Sequence, residues 1–141
     1  MIIRLLRSPR WRVLFAAVGS AVTWFAWAYW ANRAHGNQAW LSGVSQGGIS
    51  FCTTLVGSLL LEWLFLRTGQ GWLGMATAVT VVSSLSLSFM VTVHTLAGTP
   101  NLVLTILPVF TVVLLYCSSY VFGLKKIKNH HDKKAVESLA T

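Results

Sequence analysis

Four long apolar runs constrain this chain more than any other feature. Residues 13–31, 42–66, 72–96 and 101–124 each come close to, or exceed, the roughly 20 residues that a helix needs to cross a hydrocarbon layer. Within lipid, every backbone N–H and C=O must be paired inside its own helix or around a closed barrel. Runs this long, without period-2 alternation, specify helices. The punctuation between them agrees. A polar stretch, 32–38, separates the first two runs, and Arg67-Thr68-Gly69-Gln70-Gly71 offers glycines for a helix C-cap and tight turn. Residues 97–99 form a very short link, after which Thr99 suits a cap and Pro100 the first turn of the next helix. The expected fold is an all-α membrane protein. It has four transmembrane helices in an up-down antiparallel bundle (residues 1–124) and a basic cytoplasmic tail (125–141).

Composition points the same way. Charged residues make up only 10% of the chain and hydrophobic ones 55%, against about 25% charged in a soluble domain. The balance of 11 Lys and Arg to 3 Asp and Glu gives a net charge of +8. In a soluble protein that excess would suggest nucleic acid. Here the cations sit at span ends, where they orient the chain and meet anionic headgroups, so a bilayer and no nucleic acid is the expected partner. Arg4, Arg7, Arg10, Arg12, Arg67, Lys125, Lys126, Lys128, Lys133 and Lys134 all fall on one side of a four-span chain, and only Arg33 on the other. The positive-inside rule then predicts a multi-pass protein of a bacterial inner membrane with both termini cytoplasmic. Trp24, Trp27, Tyr29, Trp30 and Trp40 are expected in an outer aromatic belt, and Trp11, Trp63, Trp72 and Tyr120 in an inner one. The basic start, apolar run and Ala26-Trp27-Ala28 also resemble a signal peptide, but the bulky aromatics around that site favour an uncleaved first span.

Helices in lipid associate through small residues and hydroxyls. Gly43, Gly47, Ser50, Thr54 and Ser58 recur at three or four residues along the second run, and Thr77, Thr80, Ser84, Ser88, Thr92 and Thr95 along the third. The expectation is that these two faces meet, with Gly43, Gly47, Ser50, Thr54, Ser84 and Ser88 as the packing residues. Gln46 and Glu62 are the most polar groups of the second run. Glu62 is the only acid in any run and lies near its end. An ion pair with Arg67, Arg12 or Lys125 is expected, the sharper alternative being a transport carboxylate. Pro108 falls inside the fourth run, where it frees the Leu104 carbonyl and is expected to kink the helix, with Thr105 or Thr111 helping to satisfy the freed group. His94 suits a satisfied interfacial histidine, His130 and His131 a solvated tail, and Cys52 and Cys117 reduced, buried packing residues.

No cofactor, metal or catalytic constellation is specified. In length and span number the chain is similar to the small multidrug-resistance exporters. Their substrate-binding glutamate sits in the first span, and the first run here has no acid. It is also similar in length, basic ends and topology to the GtrA-like proteins, which are linked to moving lipid-linked sugars. Both likenesses are architectural. The expected function is a non-enzymatic integral membrane component: a subunit, an assembly or partner-binding protein, or a homo-oligomer. The alternative is a small oligomeric transporter or lipid-linked-substrate translocase using Glu62 and the Ser/Thr faces.

Overall fold

A computed structural model describes residues 9–69 and 71–139, with the side chains of 9–13, 127 and 130–139 left aside. Arg4 and Arg7 lie outside the described residues, as do the side chains of Trp11, Arg12, His130 and His131. The described chain is all-helical: α1 (Pro9–Ala31), a 3-10 turn (Arg33–His35), α2 (Asn37–Arg67), α3 (Trp72–Leu96) and α4 (Leu102–Leu139). All four helices are long and apolar enough to cross a membrane. Their outward faces carry large apolar side chains, among them Leu73 at 84% and Leu96 at 83% exposure, a surface suited to lipid rather than water.

Two boundaries differ from the apolar runs. The second helix begins at Asn37 rather than 42, directly after Gly36, whose φ of 54° reverses the chain. The fourth helix continues to Leu139, so the backbone of the basic tail is helical. Hydropathy marks how deep a residue lies in lipid, not where hydrogen bonding stops. At 1.5 Å per residue, the 38 residues of α4 span about 57 Å, well beyond a hydrocarbon core of about 30 Å.

Consecutive helices run antiparallel. Gly43 faces Phe25 and Gly47 faces Ala21 across α1 and α2, while Gln46 meets His94 and Gly57 meets Val82 across α2 and α3. One apolar cluster, built on Leu61, Phe65, Ala78 and Val121, fills the end of the bundle nearer Gly69. A second, of Ile49, Met90, Ile106 and Val109, lies toward the Gly98 end.

The glycine pair has a different partner from the one expected. A Cβ on Gly47 would lie 3.2 Å from the Ala21 carbonyl oxygen and 3.3 Å from Phe25 Cβ, and one on Gly43 would lie 3.0 Å from the Phe25 ring. These glycines therefore let α1, not α3, approach α2. The third span's expected face is corrected too. Ser84 and Ser88 are exposed, with Thr77, Thr80, Thr92 and Thr95 beside them, and the buried face runs through Ala78, Val82, Ser86, Met90 and His94. Both stripes have helical spacing but are offset by two residues, which places them on nearly opposite sides of α3. The inward stripe has the volume to fill the core.

Pro108 sits inside an uninterrupted α4. The carbonyl it frees, that of Leu104, accepts the Trp27 indole N–H at 3.1 Å. Neither expected threonine does this: Thr105 bonds Asn101 and Asn32, and Thr111 bonds the Leu107 carbonyl. Trp27 and Trp24 are half-buried and pack against the cluster of Ile49, Met90, Ile106 and Val109. Trp30, Trp63 and Trp72 face outward, and Arg33, Arg67 and Lys125 lie over their rings at 4.5, 5.7 and 4.3 Å. Because Pro108 and Trp27 are matched, their substitutions are coupled. Trp27→Phe should cost about 1–2 kcal/mol by orphaning a carbonyl in an apolar setting. In a Pro108→Ala background, where residue 108 supplies the helical N–H, the hydrogen-bond part of that cost should vanish. A double-mutant cycle on denaturant unfolding of the purified protein reads the difference.

Candidate functional site

The polar side chains inside the bundle gather at its Gly98 end. Their placement begins with the end of α3. Gly98, at φ 64°, lets the Thr99 N–H bond the His94 carbonyl at 3.0 Å and the Gly98 N–H bond that of Thr95 at 3.1 Å, a Schellman closure. The closure turns the Thr99 side chain back over His94, bringing its Oγ1 to 2.8 Å from Nδ1. Thr99 thus caps no helix. It is the Asn101 carbonyl that accepts the first bond of α4, from Thr105 N–H at 2.9 Å.

His94 is fully buried. Its Nε2 lies 2.7 Å from Gln46 Oε1. An amide oxygen only accepts, so Nε2 carries the hydrogen and Nδ1 accepts from the Thr99 hydroxyl. Thr99 in turn accepts from the Ser42 hydroxyl at 3.2 Å, and Gln46 Nε2 donates to Ser50 Oγ at 3.2 Å. A chain of hydrogen bonds therefore joins α2, α3 and the link after α3 around the imidazole. His94, in the last turn of α3, is satisfied as expected, and its ring is buried among the helices.

Beside it lies a second set. Asn32, also fully buried, donates to the Ala28 carbonyl at 2.9 Å and to Thr105 Oγ1 at 2.8 Å, and its Oδ1 accepts the Asn101 backbone N–H at 2.9 Å. Asn101 Nδ2 donates to the Ala31 carbonyl at 2.8 Å. The Ala31 carbonyl at the end of α1 is thus closed by the Asn101 amide, and the Ala28 carbonyl, which also accepts the Asn32 backbone N–H at 3.2 Å, takes a second bond from the Asn32 amide. Every interhelical hydrogen bond between α1 and α4 among the described residues is at this end.

Toward the Gly69 end the same two helices leave a cleft of about 230 Å³, with Ser20 and Trp24 on α1, Gln46 and Thr54 on α2, Ser86 on α3 and Tyr116 on α4 among its walls. Thr54 and Thr53 spend their hydroxyls on carbonyls of their own helix, at 2.7 and 2.8 Å. Ser58 and Tyr116 bond one another at 2.9 Å near the foot of the cleft. Of the residues singled out in the sequence, Gln46, Ser50 and Thr54 line this cleft, while Gly43, Gly47, Ser84, Ser88 and Pro108 do not.

Glu62 is exposed, one helical turn beyond Ser58, and makes no ion pair among the described residues. Arg67 and Lys125, two of its expected partners, lie over Trp63 and Trp72 instead, and the Arg12 side chain is outside the described set. Cys52 is exposed rather than buried, and Cys117 is buried; both are free thiols. Among the described residues no group of His, Cys, Asp and Glu is placed to hold a metal ion.

The sequence reading missed Asn32, Thr99, Asn101 and Thr105 as partners. One signal was present: His94 stands four residues before Gly98 and five before Thr99, the spacing of a Schellman closure. The arrangement defines an all-helical chain with four helices able to cross a membrane, pinned at one end by amides and an imidazole and cleft toward the other. The chain matches no family model, no curated protein and no solved structure.

Proposed function

We propose that the protein is a non-enzymatic component of a bacterial inner membrane, spanning it four times with both termini cytoplasmic, that acts by binding another membrane protein or a second copy of itself. The observation that carries this reading is the outward face of α3. Ser84 and Ser88 are exposed there, with threonines one and two turns to either side, and none of these hydroxyls is hydrogen-bonded to another described residue. In lipid, hydroxyls on an outer face favour a neighbouring helix over hydrocarbon. A second copy inserted in the same orientation presents the same hydroxyls at the same depth, so the face is complementary to itself.

The test is association in a mild detergent. The parent chain should run as an oligomer or with a stoichiometric membrane partner in native mass spectrometry. Ser84→Leu with Ser88→Leu should keep the melting temperature of the isolated chain while releasing the monomer. A monomeric, unaccompanied parent, or a double variant that associates as before, would contradict the reading.

A second reading, a small oligomeric transporter or lipid-linked-substrate translocase, is favoured by the cleft between α1 and α4. Glu62, which that reading would use, is not among the cleft's lining residues.

A further inference from the structure

We infer that the cleft between α1 and α4 is a binding site for one extended acyl chain that carries a hydroxyl partway along its length and an anionic headgroup. This goes beyond the partner reading and does not depend on what covers α3. Three observations carry it.

The first is shape. The lining runs about 22 Å along α2, from Gln46 to Leu61, and about 12 Å along each of α1, α3 and α4, around a volume of about 230 Å³. A space elongated along the helix axes and walled by all four helices suits one extended chain. Most of its wall is apolar, with Ile49, Leu61, Val82, Val109, Val112 and Val113 contributing.

The second is an unpartnered polar group. Ser86 lines the cleft, its residue 7% exposed and its hydroxyl open to the cleft, and makes no hydrogen bond among the described residues. Ser20, half-buried on the opposite helix, lines the same space and is likewise unbonded. The other hydroxyls in the wall are committed: Thr53 and Thr54 to backbone carbonyls, Ser50 to Gln46, and Tyr116 to Ser58. The Ser86 and Ser20 hydroxyls therefore open on the cleft with their hydrogen-bonding capacity unused, and a ligand hydroxyl at that depth can both donate to them and accept from them.

The third is direction. At the Gly98 end α1 and α4 are closed together by the Trp27–Leu104, Asn32–Thr105 and Asn101–Ala31 bonds, so a chain end, not a headgroup, points there. The headgroup must leave toward the Gly69 end. There, among the described side chains, Arg67, Lys125, Lys126 and Lys128 outnumber the one acid, Glu62, and favour an anion.

The experiment uses the full chain in nanodiscs of zwitterionic lipid, with 12-hydroxyoctadecanoate and octadecanoate as competing probes in native mass spectrometry. The parent protein should retain the hydroxylated probe about fivefold better, the margin of one net hydrogen bond. Ser86→Ala removes the hydroxyl with almost no change of volume and should reduce that ratio to about one while both probes still bind. Ala16→Trp, at the exposed rim of the cleft, should lower retention of both. Equal retention of the two probes by the parent, a preference that survives Ser86→Ala, or no retention of either probe would each overturn the proposal.

Discussion

Gly47→Leu should be the most damaging single substitution in the bundle, lowering stability by about 3 kcal/mol or more. Even the Cβ of the new side chain would stand 3.2 Å from a backbone oxygen of α1 and 3.3 Å from Phe25 Cβ. Neither atom can turn aside as a flexible side-chain tip would, so α1 and α2 must part along their length. Overpacking of a close-fitted contact typically costs about 1–3 kcal/mol, and a whole leucine driven between two backbones belongs at or above the upper end. The neighbouring residue provides the control. A Cβ on Gly48 would meet nothing within 4 Å, and the residue is exposed. Gly48→Leu adds the same side chain to the same helix and should stay within about 0.5 kcal/mol of the parent. Reversible unfolding in sodium dodecyl sulfate mixed with a mild detergent reads both. Similar midpoints for the two variants would show that α1 does not pack where Gly47 lies.

The second large effect concerns His94. His94→Leu leaves Gln46 Oε1 without its donor and the Thr99 hydroxyl without its acceptor, both buried. Hydrogen bonds between helices in membrane proteins average about 0.6 kcal/mol and reach about 1.7, so losing two, with orphaned partners, should cost about 2 kcal/mol. The useful comparison is the pair. Gln46→Leu combined with His94→Leu removes both ends of the shortest bond and substitutes apolar volume, and it should recover part of the loss even though it deletes more polar atoms. A double variant less stable than the sum of the singles would show that the polar network is not the unit described.

The helices themselves were legible because the constraint behind them is simple: a long apolar segment in lipid has to pair its own backbone. The arrangement inside the bundle was only partly so. Gly43 and Gly47 announced a close approach, but spacing on one helix says nothing about which neighbour arrives, and that neighbour is α1. On α3 two stripes two residues apart had equal claim by periodicity. Ser84 and Ser88 turned outward because Ala78, Val82, Met90 and His94 on the other stripe fill the interior. The cost of Pro108 was foreseen correctly as a freed carbonyl, but its donor, Trp27, lies 77 residues away in sequence, where no local rule reaches. For Glu62, charge complementarity within reach suggested an ion pair with Arg67, Arg12 or Lys125; Arg67 and Lys125 lie over indole faces instead, and the Arg12 side chain is outside the described residues.

The central claim, a chain that crosses the membrane four times and returns both ends to the cytoplasm, is tested most directly by reporter fusions at the links. Paired reporters, one active only in the cytoplasm and one only outside it, should be placed after Gly36, Gly69 and Lys134. The account predicts a cytoplasmic signal at Gly69 and Lys134 and an external signal at Gly36. An external signal at Gly69, or opposite signals at Gly69 and Lys134, would contradict it.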